Sequence, residues 1–257
     1  MALQVERQLT IINLIKNNKT VRVDELTKVL KVSSNTIRRD LSQLEKQGVL
    51  RRTQGGAILT EVDNNFTQPF EIRETKYTTE KKAIGRKASE LVGAGDTIII
   101  DAGTTALQLA KNLFQRQNLT ILTNSLEISY ELIANPNIVI ILSGGIIRES
   151  SRSLIGLPAE QFFSQVHADK LFLATGGLTI TEGLTNPNMH ETPIKRNMIE
   201  SAKEVIVLAD FHKFGRISLS TIAPVTKVHK VVTDKKAPKE IINKLETLGI
   251  EVIIADE

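Results

Sequence analysis

Five short segments of this 257-residue chain gather residue types that handle a small anion or a polyol: Asp101-Ala102-Gly103-Thr104-Thr105, Thr123-Asn124-Ser125, Ser143-Gly144-Gly145, Thr175-Gly176-Gly177 and Asp210-Phe211-His212-Lys213. Gly103, Thr104 and Thr105 open a predicted helix. Free backbone N–H groups, two hydroxyls and the positive end of the helix dipole would then face one anion, most naturally a phosphate. Thr123-Asn124-Ser125 repeats that arrangement, and the pairs Gly144-Gly145 and Gly176-Gly177 would let the backbone approach a ligand closely. Lys213, Lys195 and Arg148 are the cations at hand, and Asp101, Glu191 and Asp210 the carboxylates for sugar hydroxyls. Each loop alone is accounted for by ordinary strand-to-helix turn chemistry. All five on one predicted sheet edge favour a phosphorylated polyol site.

Other chemistries fail on inspection. The chain has no Cys, which excludes thiolate metal sites, thiol nucleophiles and disulfides. Its histidines, His167, His190, His212 and His229, are scattered, so no metal site is expected. Gly93-Ala94-Gly95 begins like a dinucleotide fingerprint but precedes a strand and has Ile98 where the third glycine should fall. There is no P-loop and no G-x-S-x-G elbow, so no catalytic residue and no cofactor are expected. A competing reading keeps catalysis open: Asp101, Glu191 or Asp210 could move a proton beside a carbonyl, making a sugar-phosphate isomerase with an accessory DNA-binding head.

These residues need elements to position them. From residue 80 onward, β-branched runs at 97–101, 119–122, 138–142, 170–174, 204–209, 229–233 and 250–254 alternate with helical patterns near 80–92, 105–115, 125–134, 158–164, 190–202 and 238–247. That alternation predicts an α/β domain with a Rossmann-like, mostly parallel sheet, whose ligand loops converge at the C-terminal strand ends. Residues 60–79, with Pro69 and little apolar periodicity, read as a linker in which Phe66 and Phe70 clip the surface.

The first 59 residues read as a separate domain. Val5, Leu9, Ile12 and Ile15 recur at helical spacing. Asp24 is a candidate cap for a short helix to Leu30, and Ser33-Ser34 caps a third helix that Gly48 stops. On this third helix Ile37, Leu41 and Leu44 form one buried stripe, while Ser34, Asn35, Thr36, Arg38, Arg39 and Ser42 point elsewhere. Arginine pairs with guanine edges or clamps phosphate, and asparagine pairs with adenine. A strand, a turn at Gln54-Gly55 and a second strand follow, carrying Arg51 and Arg52 toward a phosphate backbone. Three helices and a basic hairpin make a winged helix-turn-helix.

Charge agrees with this division. Residues 1–60 hold 11 Lys and Arg against 5 Asp and Glu, net +6, whereas the remaining 197 residues hold 22 against 24, net −2. The overall +4 therefore hides a basic head on a slightly acidic body. No apolar run approaches the roughly 18 residues of a membrane span, and no signal pattern opens the chain, so a cytoplasmic protein with no membrane partner is expected.

The segment from Val32 to Leu50 followed by Gly55-Gly56-Ala57 resembles the signature of the DeoR family of bacterial transcriptional regulators. The likeness continues through the five loops above, Glu182-Gly183-Leu184-Thr185 and Phe214-Gly215. The resemblance implies a C-terminal effector domain with a fold like that of ribose-5-phosphate isomerase. It further implies a homo-oligomer, dimer or tetramer, that represses a sugar-catabolic operon on double-stranded operator DNA and is relieved by a phosphorylated sugar or polyol.

Overall fold

The structure, a computed structural model, describes residues 4–18, 20–46, 50–59 and 68–256, and divides between Gln68 and Pro69 into two compact units. In the first unit, α1 (Gln4–Asn18), β1 (Thr20–Arg22), α2 (Val23–Leu30) and α3 (Ser34–Lys46) precede β2 (Leu50–Thr53) and β3 (Gly56–Leu59). The strands form an antiparallel sheet in the order β1-β3-β2, so the wing hairpin is completed by a third strand from between the first two helices. Ile11, Ile15, Leu26, Ile37, Leu41, Leu44 and Leu50 are buried together beneath it. At about 1.5–3 kcal/mol for each large apolar side chain taken from water, this small core suffices to hold three helices.

Two details differ from the sequence reading. The run Asn17-Asn18-Lys19-Thr20 reads in sequence as a break after the first helix, yet Asn17 and Asn18 continue α1. The cap of α2 is Arg22, whose backbone N–H donates to Glu25, while Asp24 lies within the first turn. The end of α3 at Gly48, and Phe66 in the expected linker, lie outside the described residues.

The second unit begins inside the stretch read as a linker. Pro69 caps α4 (Phe70–Thr75), which α5 (Thr78–Ser89) follows at once. A proline at a helix start loses nothing, because its missing N–H would be unpaired there anyway. Phe70 is a core residue at 1% exposure and not a surface clip.

All seven expected strands are present and mutually parallel: β4 (Thr97–Ile100), β5 (Leu119–Thr123), β6 (Ile138–Leu142), β9 (Ala168–Ala174), β12 (Ala202–Leu208), β14 (Lys230–Asp234) and β15 (Glu251–Ala255). Their order is β15-β14-β12-β9-β4-β5-β6. Alternate residues enter opposite cores: Ile98, Ile100, Phe172, Ile206 and Leu208 face α5, α6 (Thr104–Leu113) and α7 (Leu126–Leu132). Ile99, Leu171, Leu173, Val205 and Val207 face α8 (Leu157–Ser164), α9 (Thr192–Glu200) and α10 (Lys239–Thr247).

Strand pieces absent from the sequence reading decorate the C-terminal edge. They are a hairpin, β7 (Ile146–Arg148) with β8 (Ser153–Ile155), and an antiparallel sheet of β10 (Gly177–Thr179), β11 (Gly183–Asn186) and β13 (Ser220–Ala223). The chain leaves β4 toward β5 and β6, then returns on its other side with β9 and β12. The crevice between the ends of β4 and β9 is therefore the topological switch point, where ligands enter open α/β sheets.

Candidate functional site

In the first unit, Ser33 Oγ accepts from the Thr36 backbone at 3.2 Å and shares a 2.9 Å hydrogen bond with the Thr36 hydroxyl. This fixes the start of α3. Asn35, Arg38 and Arg39 are exposed, Ser34 is half-buried, and among the described residues none of the four side chains is hydrogen-bonded. Ser42 is engaged: Arg52 Nη1 donates to its hydroxyl at 2.8 Å, and the Arg52 backbone donates to Glu45 at 2.8 Å, tying wing to helix. Gln54 sits exposed at the wing turn, where Gly55 takes φ +93°. Arg51 lies on β2. Sequence reasoning missed Asp40, buried at 2%, which accepts from Arg7 Nε at 2.9 Å and Nη2 at 3.3 Å and clamps α3 onto α1.

In the second unit, the switch point is built around Asp101. The Ala174 N–H donates to Asp101 Oδ2 at 3.0 Å, and Lys195 Nζ donates both to that oxygen and, at 3.0 Å, to the Ala174 carbonyl. Asp101 and Lys195 are 1% and 4% exposed, and Asp101 Oδ1 has no hydrogen-bond partner among the described residues. Burial raises the Asp101 pKa despite Lys195 beside it. Gly103 precedes α6 within the same crevice, where a Cβ would come 2.8 Å from Ala174 Cβ. No side chain caps α6, and the Thr104 and Thr105 hydroxyls have no partner among the described residues, so donors face the crevice unpaired.

Glu191 is the second buried carboxylate. Asn186 donates to its Oε2 at 3.0 Å, Arg148 Nη1 to its Oε1 at 3.3 Å, and Ser153 reaches the same oxygen at 3.5 Å. Burial pushes its pKa up, but Lys195, the hydrogen bonds from Asn186 and Ser151, and Arg148 together outweigh this and leave it below the ordinary value. Arg148 also donates to Ser151 Oγ at 3.1 Å. Lys195 and Arg148, expected as free cations, are thus each committed to an internal carboxylate.

The remaining cations come from three places: Arg73 on α4, within the stretch read as linker, Lys81 on α5, within the helix read at 80–92, and Lys213, expected as a ligand cation. Lys81 on α5 donates to the Arg73 carbonyl and is 5% exposed; burial lowers its pKa to about 8. Lys213 is half-buried without an ion pair among the described residues. Burial lowers its pKa, Asp210 opposes that, and Arg216, Arg73 and Lys76 push it further down. Asp210 accepts from the His212 backbone at 3.1 Å and is 1% exposed. Arg73 feels both groups of charges: Lys81 and Lys213 on one side, Glu191, Arg148 and Asp101 on the other. Tyr77 closes this end, its ring 5.1 Å from those of both Phe211 and His212.

Several expected ligand residues are spent internally. Thr123 donates to the Ile100 carbonyl at 2.6 Å, Asn124 accepts from Ala102 at 3.1 Å, and Ser125 caps α7 by accepting from Ile128 at 3.3 Å. This segment does not repeat the Gly103-Thr105 cradle. The glycines also differ from their expected role, because what approaches most of them is the chain itself. A Cβ would lie 2.5 Å from the Ile155 carbonyl at Gly145, 2.6 Å from Pro187 at Gly176 and 2.2 Å from the Arg216 carbonyl at Gly177; of these loop glycines only Gly144 has open space.

Among the described residues no group of His, Asp and Glu is arranged to hold a metal, and no helix is long and apolar enough to cross a membrane. A winged-helix unit presenting an unpaired basic helix, on a chain whose second unit holds a polar crevice at a sheet switch point, defines a DNA-binding regulator with a sensor domain. A model of the DeoR-like helix-turn-helix domain matches residues 7–62, and one of the DeoR C terminal sensor domain matches residues 76–235. The chain belongs to the DeoR family of transcriptional regulators.

It is similar to the HTH-type transcriptional regulator GolR of Listeria innocua, 39% identical over 98% of both chains. It is also similar to the transcriptional repressor AccR of Agrobacterium fabrum, 37% identical over 98% of this chain and 97% of that one. With relatives named as regulators over nearly their whole length, the chain is a regulator and the isomerase reading is set aside. Among solved structures it is similar to ribose 5-phosphate isomerase A of Methanocaldococcus jannaschii, 18% identical over 52% of this chain and 53% of that one, with a TM-score of 0.39.

Proposed function

We propose that this regulator is a cytoplasmic repressor of a sugar-catabolic operon, released from double-stranded operator DNA when a phosphorylated sugar or polyol occupies the β4/β9 crevice. The observation that carries the reading is the pairing, at one switch point, of an uncapped helix start with a buried carboxylate. Thr104 and Thr105 offer unpaired donors, and Asp101 keeps one oxygen unpaired. The phosphate rests on the Gly103-Thr105 cradle, with Lys81 and Lys213 supplying charge. Asp101, Glu191 and Asp210 face the hydroxyls. On the head, Asn35 with Arg38 and Arg39 reads bases, while Ser34, Thr36, Arg52 and Arg51 hold phosphates. Release follows if the effector binds the DNA-incompetent arrangement of an oligomer better than the competent one.

A thermal-shift panel of phosphorylated sugars tests the sensor reading, because a ligand of the native state stabilises it by RT ln(1 + [L]/Kd), about 2.7 kcal/mol at a hundredfold excess over Kd. One or more members should raise the melting temperature at millimolar concentration and weaken operator binding in a gel shift. An unmoved melting curve across the panel removes the reading.

A further inference from the structure

Arg152, in the turn between β7 and β8, has φ +49°, a left-handed conformation that a β-carbon disfavours and that persists only where its surroundings hold it. Two sets of contacts meet in this turn. The first belongs to the crevice. Arg148 Nη1 donates to Glu191 Oε1 at 3.3 Å and to Ser151 Oγ at 3.1 Å; Ser151 and Ser153 share a hydrogen bond of 2.8 Å, and Ser153 Oγ reaches Glu191 Oε1 at 3.5 Å. Both strands and the turn thereby close onto one carboxylate oxygen. The second set belongs to α4. Arg152 Nη2 pairs with Glu71, its guanidinium carbon lies 5.3 Å from the centre of the Phe70 ring, and Arg73 Nη2 donates to the Ser150 carbonyl at 3.5 Å. Arg152 Nη1 also donates to Glu127 of α7 at 2.7 Å. A lone exposed ion pair contributes little, but several charges joined in a network with a ring face fix a geometry.

We infer that Arg152 is a positioning residue that carries the state of Glu191 to α4, the element that residues 60–69 join to β3 of the DNA-binding unit. Such a relay needs an element with two arrangements that both sites bias. The turn supplies it. While Arg148 and Ser153 hold Glu191, Arg152 stays left-handed and grips Glu71. A hydroxyl that bonds to Glu191 Oε1 competes with both donors and frees the turn, so that Arg152 relaxes to the ordinary region and lets go of α4. Phe70 and Glu71 then lose the cation that fixes them, at the point where the chain arrives from the DNA-binding unit. The arrival of a hydroxyl at Glu191 rests on the effector site proposed above; the link from Glu191 to α4 does not.

The link is tested in the full chain without any ligand, with Glu191→Gln weakening the grip on the hairpin as a bound hydroxyl would. Hydrogen exchange of the α4 amides and operator affinity are read in a double-mutant cycle with Arg152→Leu. Each single change is expected to speed α4 exchange and to weaken operator binding, by roughly tenfold, a common size for coupling between sites. The double variant is expected to lose no more than Arg152→Leu alone, because both changes act through one link. Glu71→Gln is expected to reproduce the loss, whereas Glu127→Gln, which leaves the grip on α4 in place, is not. Losses that add in the double variant overturn the inference, as does α4 exchange that Glu191→Gln leaves unmoved. Wild-type operator affinity in Arg152→Leu also overturns it, as does a Glu127→Gln protein as impaired as Glu71→Gln. If Arg152→Leu does not fold, the cycle of Glu71→Gln with Glu191→Gln decides alone, since the Glu71 side chain is 48% exposed and its change is mild. A sugar-phosphate panel without a hit would leave these ligand-free cycles unaffected, so failure of the effector reading is distinguishable from failure of the relay.

Discussion

Lys195 and Asp101, 94 residues apart in sequence, neutralise each other at the end of the central sheet, and the Ala174 backbone holds both. Removing one partner leaves an uncompensated buried charge, which costs about 3–5 kcal/mol. Lys195→Met should therefore lower the urea midpoint of the sensor unit markedly at pH 7. Because burial already raises the Asp101 pKa in the folded chain, the variant should recover as pH falls. A group with a raised folded pKa favours the folded state below its ordinary pKa and loses that contribution as pH rises through the folded value. Equal losses at pH 7 and pH 4.5 would contradict this account.

Arg38 and Arg39 lie on the exposed face of α3 without internal partners. Replacing both by alanine should abolish specific operator retention in a gel shift and reduce the slope of log K against log salt by about 0.9 for each phosphate that is no longer neutralised. The melting temperature should hardly move, since surface changes away from packed features stay within roughly 0.5 kcal/mol. Retained operator affinity would show that α3 does not read DNA.

Asp40 has a different place on the same helix. Asp40 is 2% exposed and grips Arg7 through two nitrogens, so Asp40→Ala removes a forked ion pair from a largely buried guanidinium. A loss of about 3 kcal/mol is expected in the head. Operator binding should fail as temperature rises, while sugar-phosphate stabilisation of the sensor unit persists. Arg7→Lys should be destabilised in the same direction but by less, because lysine keeps the charge and cannot make the forked hydrogen bond.

What the sequence made legible follows from period and residue type. Seven strands could be read because a parallel sheet buried on both faces writes itself as short β-branched runs, Ile138 to Leu142 being one. The Ile37, Leu41 and Leu44 stripe likewise gave α3 its buried and reading faces. Pairings between distant residues were not legible. Nothing local indicates that Lys195 and Arg148 are consumed by Asp101 and Glu191, or that Ser42 is held by Arg52. Glycine marks a place where a Cβ does not fit without saying what comes close, so Gly176 and Gly177 were assigned to a ligand although Pro187 and Arg216 are the neighbours. Pro69 hid α4, because the same residue opens helices and breaks them, and with α4 went Arg73, Lys76 and the environment of Lys81. The local pattern did not help either: Phe70 and Ile72 alternate with Glu71 and Arg73 at a period of two, which is the signature of a strand and not of a helix.

Lys81 allows the proposed anion site to be tested by pH. Its pKa lies at about 8 against an ordinary 10.5, chiefly because burial disfavours the charge. Below pH 8 the ammonium is present and attracts a phosphate; above it the amine is neutral and does not. Affinity for any sugar phosphate that stabilises the protein should therefore fall as pH rises from 7 to 9, by about tenfold if Lys81 supplies one charged hydrogen bond of roughly 1.5 kcal/mol. Lys81→Met should bind about tenfold more weakly at pH 7 and show little change across that range. The stability effect has the opposite sign. Below pH 8 the folded chain bears the cost of a buried charge, and that cost is relieved between pH 8 and 10.5, where the unfolded chain binds the extra proton. The methionine variant should then be no less stable than the wild type at pH 7. Calorimetric titration at pH 7 and pH 9 separates the outcomes, and an affinity independent of pH in the wild type would remove Lys81 from the site.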